Sequence, residues 1–159
     1  MKYPDNYLYS MDIDWFCIIN GIFVHIASAG GFLPDEVNDR DKLRANQSFV
    51  NRMDCIFNDN QIIVNWAFLH ARFGYEDGSD EKISNYLESF IKMSKKGFVS
   101  LDRTHLEDPN DNTYHIVCMP NKIIRLSDNL NLCKYKSNNP NLLNQVDQDI
   151  SLLEEITLL

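Results

Sequence analysis

Positive charge is in short supply. The 159 residues hold 15 Lys and Arg against 23 Asp and Glu, a formal net charge of −8, and the sequence pI is about 4.8. Such a surface repels phosphate backbones, which argues against general nucleic-acid binding. Two readings of the acidity stay open: a means of solubility, or attraction to a basic partner. After Lys136 there is no basic residue. Cysteine is also sparse. Cys17, Cys55, Cys118 and Cys133 form no C-x-x-C pair and cluster with no histidines at ligand spacing, so no zinc or other metal site is expected. Unpaired thiols in apolar runs fit a reducing compartment, and a cytoplasmic location is expected. The start, MKYPDNYLYSMDID, lacks the basic head and apolar core of a signal peptide. No lipidation motif, internal repeat or cofactor-binding motif is present. The Gly30-Gly31 pair is followed by no Gly-Lys-Ser/Thr, so it is no P-loop.

Long uncharged runs are confined to one place. From Trp15 to Leu33 no residue is formally charged, which approaches the ~20 residues a membrane helix needs. Asn20-Gly21 sits inside that run, polar residues (Asn20, His25, Ser28) interrupt it, and acids rather than basic anchors flank it. No membrane span is expected. Asn-Gly between apolar runs is instead the strongest local signal for a β-hairpin, because a type I′ turn needs positive φ at both central residues. With a two-residue loop, Ile19 faces Ile22, Cys17 faces Val24 and Trp15 faces Ile26 on one face. Ile18 faces Phe23, Phe16 faces His25 and Asp14 faces Ala27 on the other. Both faces are apolar near the turn, so the hairpin belongs in a covered sheet. The second face makes Asp14 and His25 diagonal neighbours. An Asp-oriented histidine is a general-base arrangement. The preferred reading is a core histidine satisfied by a nearby carboxylate, because no nucleophile is identifiable beside the pair.

Elsewhere the periodicity is mostly helical. Pro34 to Met53 reads as a helix entry and a helix, with Pro34 and Asp35-Glu36 suiting a first turn and Leu43, Val50 and Met53 on a stripe. Gln61 to Leu69 is nearly all apolar and reads as either strand or short buried helix. Ser79 or Asp80 suits the N-cap of a helix whose apolar face is Ile83, Tyr86, Leu87, Phe90 and Ile91, ended by Gly97. FVSLDRT, the turn-rich EDPNDN and TYHIVCMP read as a second hairpin. Alternation there places Tyr114, Ile116 and Cys118 on one face and His115, Val117 and Met119 on the other. Asn121 to Leu126 reads as a further strand. Leu142, Val146, Ile150 and Leu153 recur at helical spacing.

The expected architecture is α+β: an antiparallel sheet built from hairpins packed on helices, in a single domain over 1–136. An acidic amphipathic helix or tail over 137–159 would either dock on the body or bind a partner. DIDWF, SAGGFLP, YLESF, SKKGFVSLD and YHIVCMP, spread from Asp12 to Pro120, resemble a group of small bacterial proteins of the immunity-protein class. Those proteins sit beside secreted toxins in polymorphic toxin systems. The resemblance implies a cytoplasmic protein-binding module that neutralises a toxin, with no cofactor and no catalytic residues to carry over. Acidity would suit a basic toxin, and the candidate contact residues are Glu76, Asp77, Asp80, Glu81, Glu107, Asp108 and Asp111. Two alternatives stand beside this one. One is a small enzyme using Asp14 and His25, with Asp12, Asp102 or His115. The other is a ligand-binding regulatory domain with a pocket between sheet and helices.

Overall fold

The computed structural model describes residues 1–74, 81–137 and 156–157. It is α+β. A short helix α1 (Asp5–Ser10) leads into β1 (Asp14–Ile19) and β2 (Ile22–Ala27), followed by α2 (Arg40–Arg52), β3 (Ile62–Val64), α3 (Trp66–Phe73) and α4 (Glu81–Lys95). β4 (Val99–Arg103), β5 (Thr113–Pro120), β6 (Cys133–Tyr135) and β7 (Ile156–Thr157) complete the chain.

The hairpin register is the one read from Asn20-Gly21. Trp15 pairs with Ile26, Cys17 with Val24 and Phe16 with His25, and φ is +51° at Asn20 and +83° at Gly21. The sheet order is β3-β5-β4-β2-β1-β6, with β7 also on β5. It is mixed rather than wholly antiparallel, because β4 runs parallel to β2 and β6 runs parallel to β1. The β2-to-β4 connection carries α2, α3 and α4, the kind of long crossover that parallel neighbours require.

Both sheet faces are buried. The first carries Trp15, Cys17, Ile19, Val24, Ile26, Val99 and Leu101, packed with Leu8 of α1, Leu33, Val37 and Leu43. The second is covered in two patches. Ala27, Val117 and Cys118 meet Phe68, Leu69, Ile83, Leu87 and Phe90 of α3 and α4. Phe16 and Phe23 meet Val50, Met93, Phe98 and Leu126.

Several expectations need correction. α2 begins at Arg40, not near Pro34, because Asp39 is the residue whose side chain accepts from the Asp41 and Lys42 amides. The run Gln61 to Leu69 is both strand and helix. Asn65 divides it: Asn65 Oδ1 accepts from Phe68 N to cap α3, while its Nδ2 donates to Ile116 O on β5. Asn121 to Leu126 is not a strand. β6, further on, takes the sheet edge instead. On β5 the alternation breaks. Ser100 pairs with Cys118 but Leu101 with Ile116, so Val117 is an extra residue in a β-bulge. The bulge moves Cys118 to the second face with Val117, and Met119 to the first with Tyr114 and Ile116. The tail helix expected over 142–153 and the N-cap at Ser79 or Asp80 lie outside the described residues.

Lys96, buried just past α4, donates from Nζ to Val50 O at 2.7 Å and Asn51 O at 3.2 Å. Those are late carbonyls of α2, where a cation complements the helix dipole, so Lys96 ties the C-terminus of α2 to the end of α4.

The turn makes a clean prediction. Gly21 is left-handed, but a methyl group added at its Cα would meet only open space. Gly21→Ala should therefore lower unfolding free energy by about 1–2 kcal/mol through backbone strain alone, measured by denaturant titration with an unchanged m-value.

Candidate functional site

The parallel pairing of β2 with β4 sets His25 opposite Ser100 and Ala27 opposite Asp102. Two cross-sheet rows result on the second face. One runs Phe16, His25, Ser100, Cys118 and the next runs Asp14, Ala27, Asp102, His115. Four residues singled out from the sequence for possible chemistry, Asp14, His25, Asp102 and His115, thus stand in adjacent rows.

His25 Nε2 lies 2.8 Å from Asp14 Oδ1, and Nδ1 lies 3.2 Å from Ser100 Oγ. Nε2–H donates to the Asp14 carboxylate, and Nδ1 lies against the Ser100 hydroxyl. The chain continues inward. Ser100 Oγ donates to Phe90 O at 3.0 Å, and Ser94 Oγ on α4 reaches Ser100 Oγ at 3.3 Å and Cys118 O at 3.2 Å. Asp–His–Ser connectivity is that of a hydrolase triad. Access is not. His25, Ser100, Ser94 and Cys118 are all 0% exposed. The Ser100 hydroxyl faces the Phe90 carbonyl rather than a cavity, so no electrophile can reach it. Burial also pushes the Cys118 thiol up to about 12, despite hydrogen bonds from Ser94 and Ser100, and keeps it protonated.

Asp14 is the end of this chain that meets water. Its side chain is 43% exposed and lines a cleft of about 330 Å³ with Tyr3, Tyr7, Asp12, Gln47 and Asn51. Asp12 does not join His25; its Oδ1 accepts from Ala29 N. Asp102 belongs to a second cluster. Its Oδ2 accepts from Tyr86 Oη at 2.6 Å and its Oδ1 from Arg103 N at 2.8 Å. Burial raises the Asp102 carboxyl, against the pull of the Tyr86 hydroxyl, the Arg103 amide and Arg72. His115 Nδ1 meets Thr104 Oγ1, and its ring packs tilted against Phe68.

The candidate contact acids divide. Glu107, Asp108 and Asp111 share the β4–β5 loop, where two have backbone tasks: Asp108 Oδ1 accepts from Asn110 N and Asp111 Oδ1 from Thr113 N. Glu107 is 78% exposed, with His105 Nδ1 at 3.4 Å. Glu81 is exposed in the first turn of α4, where its charge favours the helix dipole. Glu76, Asp77 and Asp80 lie outside the described residues.

A groove of about 770 Å³ lies at the hairpin tip between Ile18, Phe23, Ile124, Leu130, Leu132 and Lys134. Among the described residues no group of His, Cys, Asp and Glu gathers to hold a metal ion, and no helix is long and apolar enough to cross a membrane. Comparison with known protein families, with curated proteins and with solved structures finds no match to this chain.

Sequence reasoning missed Ser100 and Ser94. The alternation in VSLDR does put Ser100 and Asp102 on one face. What makes them partners of His25 and His115 is strand order, which no local pattern encodes.

The direction of the Asp102 shift fixes a pH dependence. A carboxyl raised on folding binds more protons in the native than in the unfolded state between its two pKa values, so stability falls as pH rises through that window. The window opens at the ordinary Asp value, about 3.9, and extends upward. Asp102→Asn should flatten this decline. Urea titrations of both proteins across the window should show the variant gaining on the wild type as pH rises.

Proposed function

We propose that the chain is a small acidic protein-binding module, most specifically a cytoplasmic immunity protein that neutralises a basic toxin by direct binding. The observation that carries this reading is the contrast between interior and surface. The His25 and Ser100 end of the constellation with catalytic connectivity is sealed beneath α4, whereas carboxylates in excess by eight charges reach solvent at Glu81, Glu107 and Asp108. A surface of one sign speeds encounter with a partner of the other and rejects like-charged ones. The sealed His25 and Ser100 weigh against catalysis by the Asp14–His25 pair.

A second reading has one observation in its favour. The groove at the hairpin tip combines an apolar floor with Arg125, Asn129 and Lys134, the mixture a small-ligand site uses. A regulatory domain binding a ligand there is the alternative.

The test is capture on tagged protein at low salt, with bound proteins identified by mass spectrometry. One basic protein recovered near stoichiometry and released by salt is the expected result, and co-expression should abolish that protein's toxicity. Charge reversal at Glu81 and Glu107 together should slow association roughly tenfold at low salt and little at high salt. Binding that is indifferent to both salt and charge reversal contradicts the electrostatic reading.

A further inference from the structure

We propose that Cys133 and Cys17 are a thiol pair that a peroxide converts to a disulfide. β6 lies parallel to β1 with these two residues as register partners. Neighbouring strands are about 4.8 Å apart, inside the roughly 4.4–6.8 Å range of Cα separations that disulfides span. Register partners also project to the same face, and both cysteines pack into the core cluster around Trp15, Val37 and Leu43. The pair is 116 positions apart in sequence (133 less 17), so the strand pairing alone creates it.

The two thiols are unequal in a way that suits sequential oxidation. Cys17 is fully buried and Cys133 half-buried. Lys42 Nζ lies 3.4 Å from Cys133 Sγ, and the Glu36 carbonyl oxygen lies 3.8 Å away. Reactive cysteines occupy such partly exposed positions beside a cation. Burial and the neighbouring Cys133 raise the Cys17 thiol well above its ordinary value, so it waits as the protonated second partner. The remaining cysteines are placed differently. Cys55 is exposed beyond α2, and Cys118 is buried on the opposite sheet face against Ser94.

Cys133 sulfur attacks one peroxide oxygen. An S–O bond forms, the O–O bond breaks, and the leaving oxygen takes a proton away as water, which leaves a sulfenic acid. Cys17 sulfur then attacks Cys133 sulfur. The S–S bond forms, the S–O bond breaks, and the departing hydroxyl takes the Cys17 proton as a second water. In sum, two thiols are oxidised and one peroxide is reduced. The product staples the three-residue edge strand β6 to β1. A transient, reversible disulfide of this kind is what a reducing compartment permits.

The experiment exposes the reduced full chain to hydrogen peroxide, blocks remaining thiols with N-ethylmaleimide under unfolding conditions, and maps peptides by mass spectrometry. The expected result is an intramolecular Cys17–Cys133 peptide, two of the four thiols lost, and reversal by dithiothreitol. Cys133→Ser should abolish the cross-link, and Cys17→Ala should leave a Cys133 sulfenic acid that dimedone traps. The wild-type map decides even where a variant folds poorly. Cys133 advancing to sulfinic acid with Cys17 still alkylatable, oxidation confined to Cys55, or only intermolecular links would each overturn the proposal.

Discussion

The β1–β2 hairpin is apolar on both faces, so water must be kept from both. That constraint organises the molecule. A hairpin buried in this way needs neighbours on both edges and cover above and below. β4 and β6 supply the edges, each in parallel, and the crossover between β2 and β4 delivers the helices that close the second face. Trp15, Cys17, Val24 and Ile26 end with no measurable exposure, and a polar atom trapped among such residues is costly without a partner within the protein; Trp15 Nε1 is one that makes no hydrogen bond.

The row through His25 answers that need. A histidine at the centre of a dry face is costly unless both ring nitrogens are satisfied. Asp14 satisfies one and Ser100 the other, and Ser100 and Ser94 pass the requirement on to the Phe90 and Cys118 carbonyls. The same contacts fix α4 on the sheet at one axial position, because a one-turn slip would separate Ser94 from Ser100 and Cys118. Polar groups here specify how the helix docks, while the flanking Phe90, Leu87 and Ile83 supply most of the burial. Lys96 plays a comparable part between α4 and α2. Arg103 is the less complete case. Its Nη2 donates to the His105 and Leu106 carbonyls, while Nε and Nη1 are buried without a hydrogen bond, and only a glycine at position 31 leaves room for the guanidinium.

What could be read from sequence was whatever is encoded locally. The Asn20-Gly21 turn fixes six residue pairs of the first hairpin, and through them the contact between Asp14 and His25. The α4 face and its glycine stop were equally legible, since Gly97 takes φ +106° where the helix ends. The non-local facts were hidden. Nothing in CKY or its surroundings marks Cys133–Tyr135 as a strand beside β1, so the Cys17–Cys133 neighbourhood could not be seen. The bulge at Val117 defeats strict alternation, and with it the sorting of Cys118 and Met119. Asn65 was a visible anomaly in QIIVNWAFL. Its double duty as helix cap and edge partner of β5 explains why periodicity could not settle that run. Ser100 needed the β2–β4 pairing to acquire its meaning.

The contacts of His25 with Asp14 and Ser100 act as a structural tie as long as His25 stays closed to solvent. Carbethoxylation of the folded protein by diethyl pyrocarbonate, followed residue by residue, tests this most directly. His70 on α3 is exposed and serves as the internal reference, while His25 is fully buried. A sealed row predicts that His70 reacts and His25 stays unmodified until the protein unfolds. A His25 that reacts in the folded state at a rate comparable to His70 would mean that the row opens to solvent, and would contradict the reading of it as sealed.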